Sequence, residues 1–235
     1  MRKTFIVLFS ALSILLIGST RDYAQFRLSL GPQTGLNFNL HTGSDLSESG
    51  NGFGFVIGGT VDMSFNRTLG LITNLQFYDN RSGSTKKEGS NQYQTGNGII
   101  SSTVSAENAA SLAYFLVEPL LKLSLPNSGM YFLVGPSFGF NIEGSYEYTV
   151  TETLPQGYQF DTGQNSITQK SKGSLKDLSA RFELKMGAGY NIPIGSGIDL
   201  FPQLTFGYGI TKVQSDVSWR ILTIQALFGV KFNLI

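Results

Sequence analysis

Two-residue alternation of apolar and polar positions runs through most of the chain. In the clearest stretch, Ala180, Phe182, Leu184, Met186, Ala188, Tyr190 and Ile192 alternate with Arg181, Glu183, Lys185, Gly187, Gly189 and Asn191. Successive strand side chains point to opposite faces, so this stretch predicts a strand with one apolar and one polar face. The stretch from Ile198 repeats it, with Leu200, Pro202, Leu204, Phe206, Tyr208 and Ile210 opposite Asp199, Gln203, Thr205, Gly207 and Gly209. Six more stretches, at about 27–40, 53–65, 69–78, 112–123, 130–142 and 219–234, read the same way. With one parity chosen per strand, the apolar face carries no charge in the eight apart from Arg220 at the start of the last.

The opposite face is rich in Gly, Ser, Thr, Asn and Gln. A soluble sandwich alternates too, but its outer face is normally charged. Small polar residues inside and large apolar ones outside suit a narrow barrel surrounded by lipid. Each stretch also reaches the roughly 9–11 residues that cross a bilayer at a tilt. Connections at about 41–52, 66–68, 79–111, 124–129, 143–179, 193–197 and 211–218 alternate long and short, the rhythm of outer loops and tight periplasmic turns. The short ones carry turn residues: Asn66-Arg67, Pro126 to Gly129, and Pro193 to Gly197. Only closure satisfies a sheet's backbone in lipid. The expected fold is all-β, an eight-stranded antiparallel up-and-down transmembrane β-barrel with both termini periplasmic.

Composition adds location. Charged residues make up 14% of the 235-residue chain, against about 25% in soluble domains. Arg2 and Lys3 precede an uncharged run, Thr4 to Thr20, whose apolar centre Phe5 to Ile17 has 13 residues. That is the size of a signal-peptide core and short for a membrane-spanning helix. Residues 1–24 are therefore expected to be a cleavable signal peptide, cut after Ala24 or near Ser19 and Thr20. Residues 25–235 are the barrel domain, with long outer loops at about 41–52, 79–111 and 143–179. Without Cys, no lipoprotein anchor is available. The remainder is near neutral, which gives no nucleic-acid footprint. Membrane lipid is the expected surrounding, and the outer membrane the expected location.

Pro32, Pro119, Pro136 and Pro202 interrupt predicted strands, each removing a ladder hydrogen bond, and all fall on the lipid-facing parity. Bulges or rim positions are the expected accommodation. Gly31-Pro32-Gln33-Thr34-Gly35-Leu36-Asn37-Phe38 and Gly135-Pro136-Ser137-Phe138-Gly139-Phe140-Asn141-Ile142 share a pattern half a barrel apart, compatible with duplication or convergence.

The segments Tyr114-Phe115-Leu116-Val117-Glu118-Pro119-Leu120-Leu121-Lys122 and Tyr131-Phe132-Leu133-Val134-Gly135-Pro136-Ser137-Phe138-Gly139 resemble the PorT-like outer-membrane β-barrel family. Gly187-Ala188-Gly189-Tyr190 and Gly229-Val230-Lys231-Phe232 are similar to that family's last strands. The chain departs from the usual terminal aromatic of bacterial barrels, since Phe232 precedes Leu234-Ile235. The resemblance implies fold and location, not an activity.

Candidate chemistry lies in the lumen and the outer loops. The inward parity collects Arg27, Lys122, Arg181, Lys185 and Lys231 with Asp62, Glu118, Glu183 and Asp199. In an eight-stranded barrel side chains fill the interior, and buried charges must pair. A charge-plugged lumen is expected, with Glu118, Lys122, Asp199 and Lys231 reaching toward Arg181, Glu183 and Lys185. The alternative is a narrow porin-like conduit for small solutes.

In the third outer loop Tyr146, Tyr148 and Val150 alternate with Glu147, Thr149 and Thr151, and Tyr158 and Phe160 follow. A hairpin rising above the membrane is expected. Its aromatics are candidate contacts for an envelope protein or glycan, against the plainer reading of a ribbon packed on neighbouring loops.

His41, near Ser44 and Asp45, is the single histidine. A lipid-modifying Ser-His-acid enzyme is weighed against a solvated loop histidine, which is the expectation. No Cys or His pair suits zinc, and no phosphate or dinucleotide motif occurs. Glu143, Glu147, Glu152 and Asp161 lack calcium-loop spacing and are expected to be solvated. No catalytic residue, metal or cofactor is expected. The expected function is that of a non-enzymatic integral barrel serving binding, assembly or envelope integrity.

Overall fold

The computed structural model describes residues 26–44, 50–96, 98–216 and 218–234. The expected signal peptide with its cleavage site, Asp45 and Ile235 lie outside these residues. Among the described residues eleven strands form: β1 (Arg27–Thr42), β2 (Gly50–Ser64), β3 (Leu69–Asn80), β4 (Gly83–Thr95), β5 (Gly98–Ser124), β6 (Met130–Thr153), β7 (Ser166–Ser174), β8 (Arg181–Tyr190), β9 (Ile192–Gly195), β10 (Ile198–Gly209) and β11 (Arg220–Asn233). No helix among the described residues is long and apolar enough to cross a membrane; the strands are the spanning elements.

Eight strands close a ring in the order β1-β2-β3-β5-β6-β8-β10-β11, every neighbouring pair antiparallel. The seam is the β1–β11 ladder, running from Ser29↔Asn233 to Thr42↔Arg220. Closure leaves no strand edge to lipid, which is what the bilayer interior demands of a sheet. The exposed side is apolar, with Phe53 73% exposed and Phe228 50%. Asn37, Glu118, Glu183 and Gln225 on the other side are fully buried.

Two bulges reset the inward parity. In β3, Gln76 pairs with Leu116 but Asp79 with Tyr114, so Phe77 and Tyr78 together face Phe115. One extra residue flips every later side chain. It sends Asp79 and then Arg81 into the lumen. In β6, Asn141 pairs with Tyr114 and Glu143 with Ala113, which makes Ile142 the extra residue.

The prolines need neither bulge nor rim. Around Pro32 the β1–β2 register continues to Gly59, while two pairs of the β1–β11 ladder are omitted without a shift. Pro119 and Pro136 fall opposite one another in the β5–β6 ladder, which skips them and resumes in the same register. Pro136 still pairs with Leu184, and Pro202 with Phe228. Each proline lacks a donor on one side only, and two of them share the same interruption.

Beyond the ring, β5 and β6 continue outward. β4 pairs with β5 from Gly83↔Ala110 to Thr95↔Gly98, and β7 pairs with β6 from Ser145↔Ser174 to Thr153↔Ser166. The expected hairpin is therefore one side of a four-stranded sheet, β4-β5-β6-β7. Much of 79–111 and 143–179, expected to be loop, is strand. At the opposite end the turns are short. Asn66 Oδ1 accepts from the Thr68 and Leu69 amides at 2.8 and 2.7 Å, and Gly197, at φ 75°, closes the β9–β10 hairpin.

Candidate functional site

The lumen is filled in layers. Nearest the short turns, Asp62 of β2 lies 2.8 Å from Lys122 of β5 and 2.6 Å from Lys231 of β11. Lys231 Nζ also donates to Asn191 Oδ1 at 2.7 Å. Both ammonium groups stand over the Tyr131 ring, 5.2 and 5.5 Å from its centroid, and Lys231 is 4.9 Å from that of Phe201. Aromatic faces supply the negative potential that one carboxylate shared by two cations leaves wanting.

The upper layer balances three cations against three anions. Lys185 contacts Glu118, Arg181 contacts Glu183, and Arg81 bonds Asp79, Nε to Oδ2 at 2.9 Å. Glu183 gathers Arg81 at 3.6 Å and Lys185 at 4.0 Å as well. Amides join the charges. Asn74 Nδ2 donates to Glu118 at 3.2 Å, and Gln225 takes Lys185 at 3.1 Å while donating to Asn37 at 2.9 Å. Gln76 Nε2 donates to Gln225 at 3.1 Å, and Asn37 contacts Asp79. Side chains from β1, β3, β5, β8 and β11 thereby meet across the axis.

Of the sequence-derived lumen residues, Glu118, Arg181, Glu183 and Lys185 meet in this upper layer. Lys122 and Lys231 turn instead to Asp62, because all three sit at the periplasmic ends of their strands. Arg27 is exposed at the start of β1, and Asp199 is half-exposed opposite Lys231 in the β10–β11 register. Among the described residues neither forms an ion pair. Arg81 and Asp79 were missed, hidden by the β3 bulge. The structural amides Asn37, Asn74, Gln76 and Gln225 carried no signal beyond their parity.

An apolar cap seals the outer mouth. Leu112, Tyr114, Leu116, Val213, Trp219 and Ile221 form one buried cluster, with Ala110, Leu175 and Leu178 packed against it. Backbone bonds hold the covering segments, Ser179 N to Val213 O at 2.9 Å and Val213 N to Trp219 O at 2.8 Å.

His41 belongs to the underside of this cap and is not a solvated loop histidine. It is buried, and its Nδ1 accepts the Trp219 indole N–H at 3.1 Å. A Cβ at Gly83 would lie 2.4 Å from the imidazole, so only glycine allows the β4 backbone this close. In a triad Nδ1–H donates to the acid and bare Nε2 is the base; here Nδ1 is itself the acceptor, which puts the neutral ring's proton on Nε2, the reverse of that arrangement.

In the outer sheet Tyr146 and Tyr148 are exposed on the face continuous with the lumen. Tyr146 lies against Gly173, where a Cβ would approach its ring to 2.7 Å. Tyr158 and Phe160 are partly buried at the tip, and Phe160 meets Tyr93 edge-on at 6.4 Å. The four aromatics thus form two groups, not one. Two loop carboxylates are tied down instead of solvated. Glu147 lies 2.9 Å from Lys172 and 3.6 Å from Lys170, and the Lys172 hydrogen bond leads in holding it below the usual carboxylate range. Glu152 accepts from Ser102 at 2.5 Å, Tyr93 at 2.7 Å and Asn91 at 3.0 Å, which lowers its pKa and raises that of Tyr93.

A closed antiparallel ring of eight strands, apolar outside and charge-filled inside, defines a small integral outer-membrane β-barrel. Residues 23–215 match the family described as outer membrane protein beta-barrel domain, and the chain belongs to that family. No curated protein matches the sequence. Among solved structures, the chain is similar to CarO2 of Acinetobacter baumannii at 13% identity and TM-score 0.38, covering 87% of this chain and 99% of that one. It is also similar to OprG of Pseudomonas aeruginosa, at 9% identity and TM-score 0.37 over 90% and 96% of the two chains. The Ail attachment invasion locus protein of Yersinia pestis, solved with the heparin analogue sucrose octasulfate, is 9% identical at TM-score 0.34 over 88% and 99%.

Proposed function

We propose that this protein is a non-enzymatic, non-conducting outer-membrane barrel that presents its outer sheet to an envelope protein or a glycan. One observation carries the reading. The lumen is occupied by two buried ion-pair layers beneath an apolar cap, while β4-β5-β6-β7 extends beyond the ring. A filled interior offers no passage, and a sheet held so far from the barrel is a surface for contact. The exposed Tyr146 and Tyr148 suit such a surface, since tyrosine is enriched in interfaces. Export through a cleavable signal peptide at residues 1–24 accompanies this reading, as does membership of the more specific PorT-like group on the motifs around Glu118 and Pro136.

The test uses the absence of native cysteine. Ser171→Cys, opposite Tyr148 in the β6–β7 register, receives a photo-crosslinker on intact cells. A discrete protein or glycan adduct is expected, and it should disappear when Tyr148→Ser and Phe160→Ser are added. An adduct indifferent to both aromatics contradicts the proposed contact.

A further inference from the structure

The lipid-facing surface ends abruptly. Phe53, Phe77, Phe140 and Ile142, all between 55% and 73% exposed, form its upper edge. Directly above them on the outward face the side chains become small and polar. There a trough of about 710 Å³ crosses from the top of β2 over β4, β5 and β6 to β7. Small-molecule sites commonly fall at roughly 300–1,000 Å³.

The hydroxyls of Ser84, Ser145 and Ser174 line this trough, and among the described residues none is drawn into a hydrogen bond. Glu147 lies at one side, already paired with Lys172 and Lys170. Glu107, also lining it, forms no ion pair among the described residues, so its carboxylate stands uncompensated at the trough. That charge repels a phosphate. It accepts hydrogen bonds from vicinal hydroxyls, and the free serine hydroxyls both give and take them. The neighbouring aromatic edge suits acyl chains.

We infer that this trough binds the neutral sugar headgroup of an outer-leaflet glycolipid, with its chains on the aromatic edge below. The trough shares Tyr146 with the proposed docking surface, but Tyr148 and Phe160, the residues of the crosslinking test, do not line it, so the two readings are tested separately.

Ala109 lies on the floor of the trough and contributes no polar group, so Ala109→Trp fills it without removing a donor or acceptor. The purified full chain is mixed in mild detergent with a dihexosyl diacylglycerol, with phosphatidylethanolamine of the same chains, or with free disaccharide. Bound species are counted by native mass spectrometry. Altered gel mobility before and after boiling checks that each variant is folded. The expected result is saturable binding of the dihexosyl lipid, reduced at least tenfold by Ala109→Trp and several-fold by Glu107→Gln, with tenfold weaker binding of phosphatidylethanolamine. Equal retention of both lipids, or wild-type retention by a folded Ala109→Trp, overturns the inference. Free disaccharide binding as well as the glycolipid overturns the membrane-anchored source. If Ala109→Trp does not fold, Ser145→Leu and Glu107→Gln take its place, with the same outcomes deciding.

Discussion

The Arg81 guanidinium stands 3.6 Å from Glu183 Oε2, joining the segment above β3 to β8 on the far wall of the barrel. Arg81 lies in the short connection between β3 and β4, yet it is fully buried. It completes the balance of three cations and three anions, and it anchors the base of the outer sheet inside the barrel. Removing one partner of a buried ionic network costs about 3–5 kcal/mol, because the remaining charge stays buried and unpaired. Arg81→Leu should lose about that much in urea unfolding followed by gel mobility. It should also speed proteolysis of β4, whereas an exposed-lysine control, Lys87→Leu, should leave both unchanged.

The lower layer gives a separate prediction. Asp62→Ala leaves Lys122 and Lys231 facing each other over Tyr131, and should also cost about 3–5 kcal/mol. Adding Lys231→Met removes one of the stranded cations and should restore part of the loss. Additive losses in that double-mutant cycle would show that the two lysines do not share Asp62.

The alternation predicts opposite outcomes at adjacent positions. Leu184 is 46% exposed on the lipid face, and Glu183 beside it is fully buried. Leu184→Arg near the midplane should cost about 2–4 kcal/mol and impair insertion into vesicles. Glu183→Gln keeps a polar side chain in the lumen and should insert normally. Equal insertion defects would contradict the assigned faces.

Acid should loosen the outer sheet before the ring. Glu147 and Glu152 have lowered pKa values in the folded chain through bonds from Lys172 and from Ser102, Tyr93 and Asn91. Their contribution is complete above the unfolded value, about 4.3 for Glu, and is lost as pH falls through the lower folded values. Both are half-exposed, and solvent screening keeps the effect small. Amide resonances of β4-β5-β6-β7 in micelles should broaden below about pH 4 while those of β1 and β11 persist. Uniform broadening around the ring would contradict this.

Much of the ring was legible because its outward face must be continuously apolar, which no other constraint mimics over eight strands. β4, reading Gly83-Ser84-Thr85-Lys86-Lys87-Glu88, was not, because both its faces are wet and no hydrophobic period survives. Asp79 and Arg81 were hidden by one extra residue at Phe77, which reverses a parity that composition does not announce. Along 112–123 the inward positions include Leu112, Tyr114, Leu116 and Leu120, so both faces look apolar and the cap could not be told from the lipid face. His41 sits among polar neighbours in sequence. Its burial depends on Trp219, which lies 178 positions later.

The central claim is that the lumen is closed. An eight-stranded interior is just wide enough for side chains. Here two ion-pair layers and an apolar cap occupy it. The direct measurement is single-molecule conductance of the full-length protein in planar bilayers at high salt. Closed traces are expected from the unmodified barrel, and still from Glu183→Ala despite its lower thermal stability. Stable ohmic steps from the unmodified protein would contradict the closed lumen and establish a conduit.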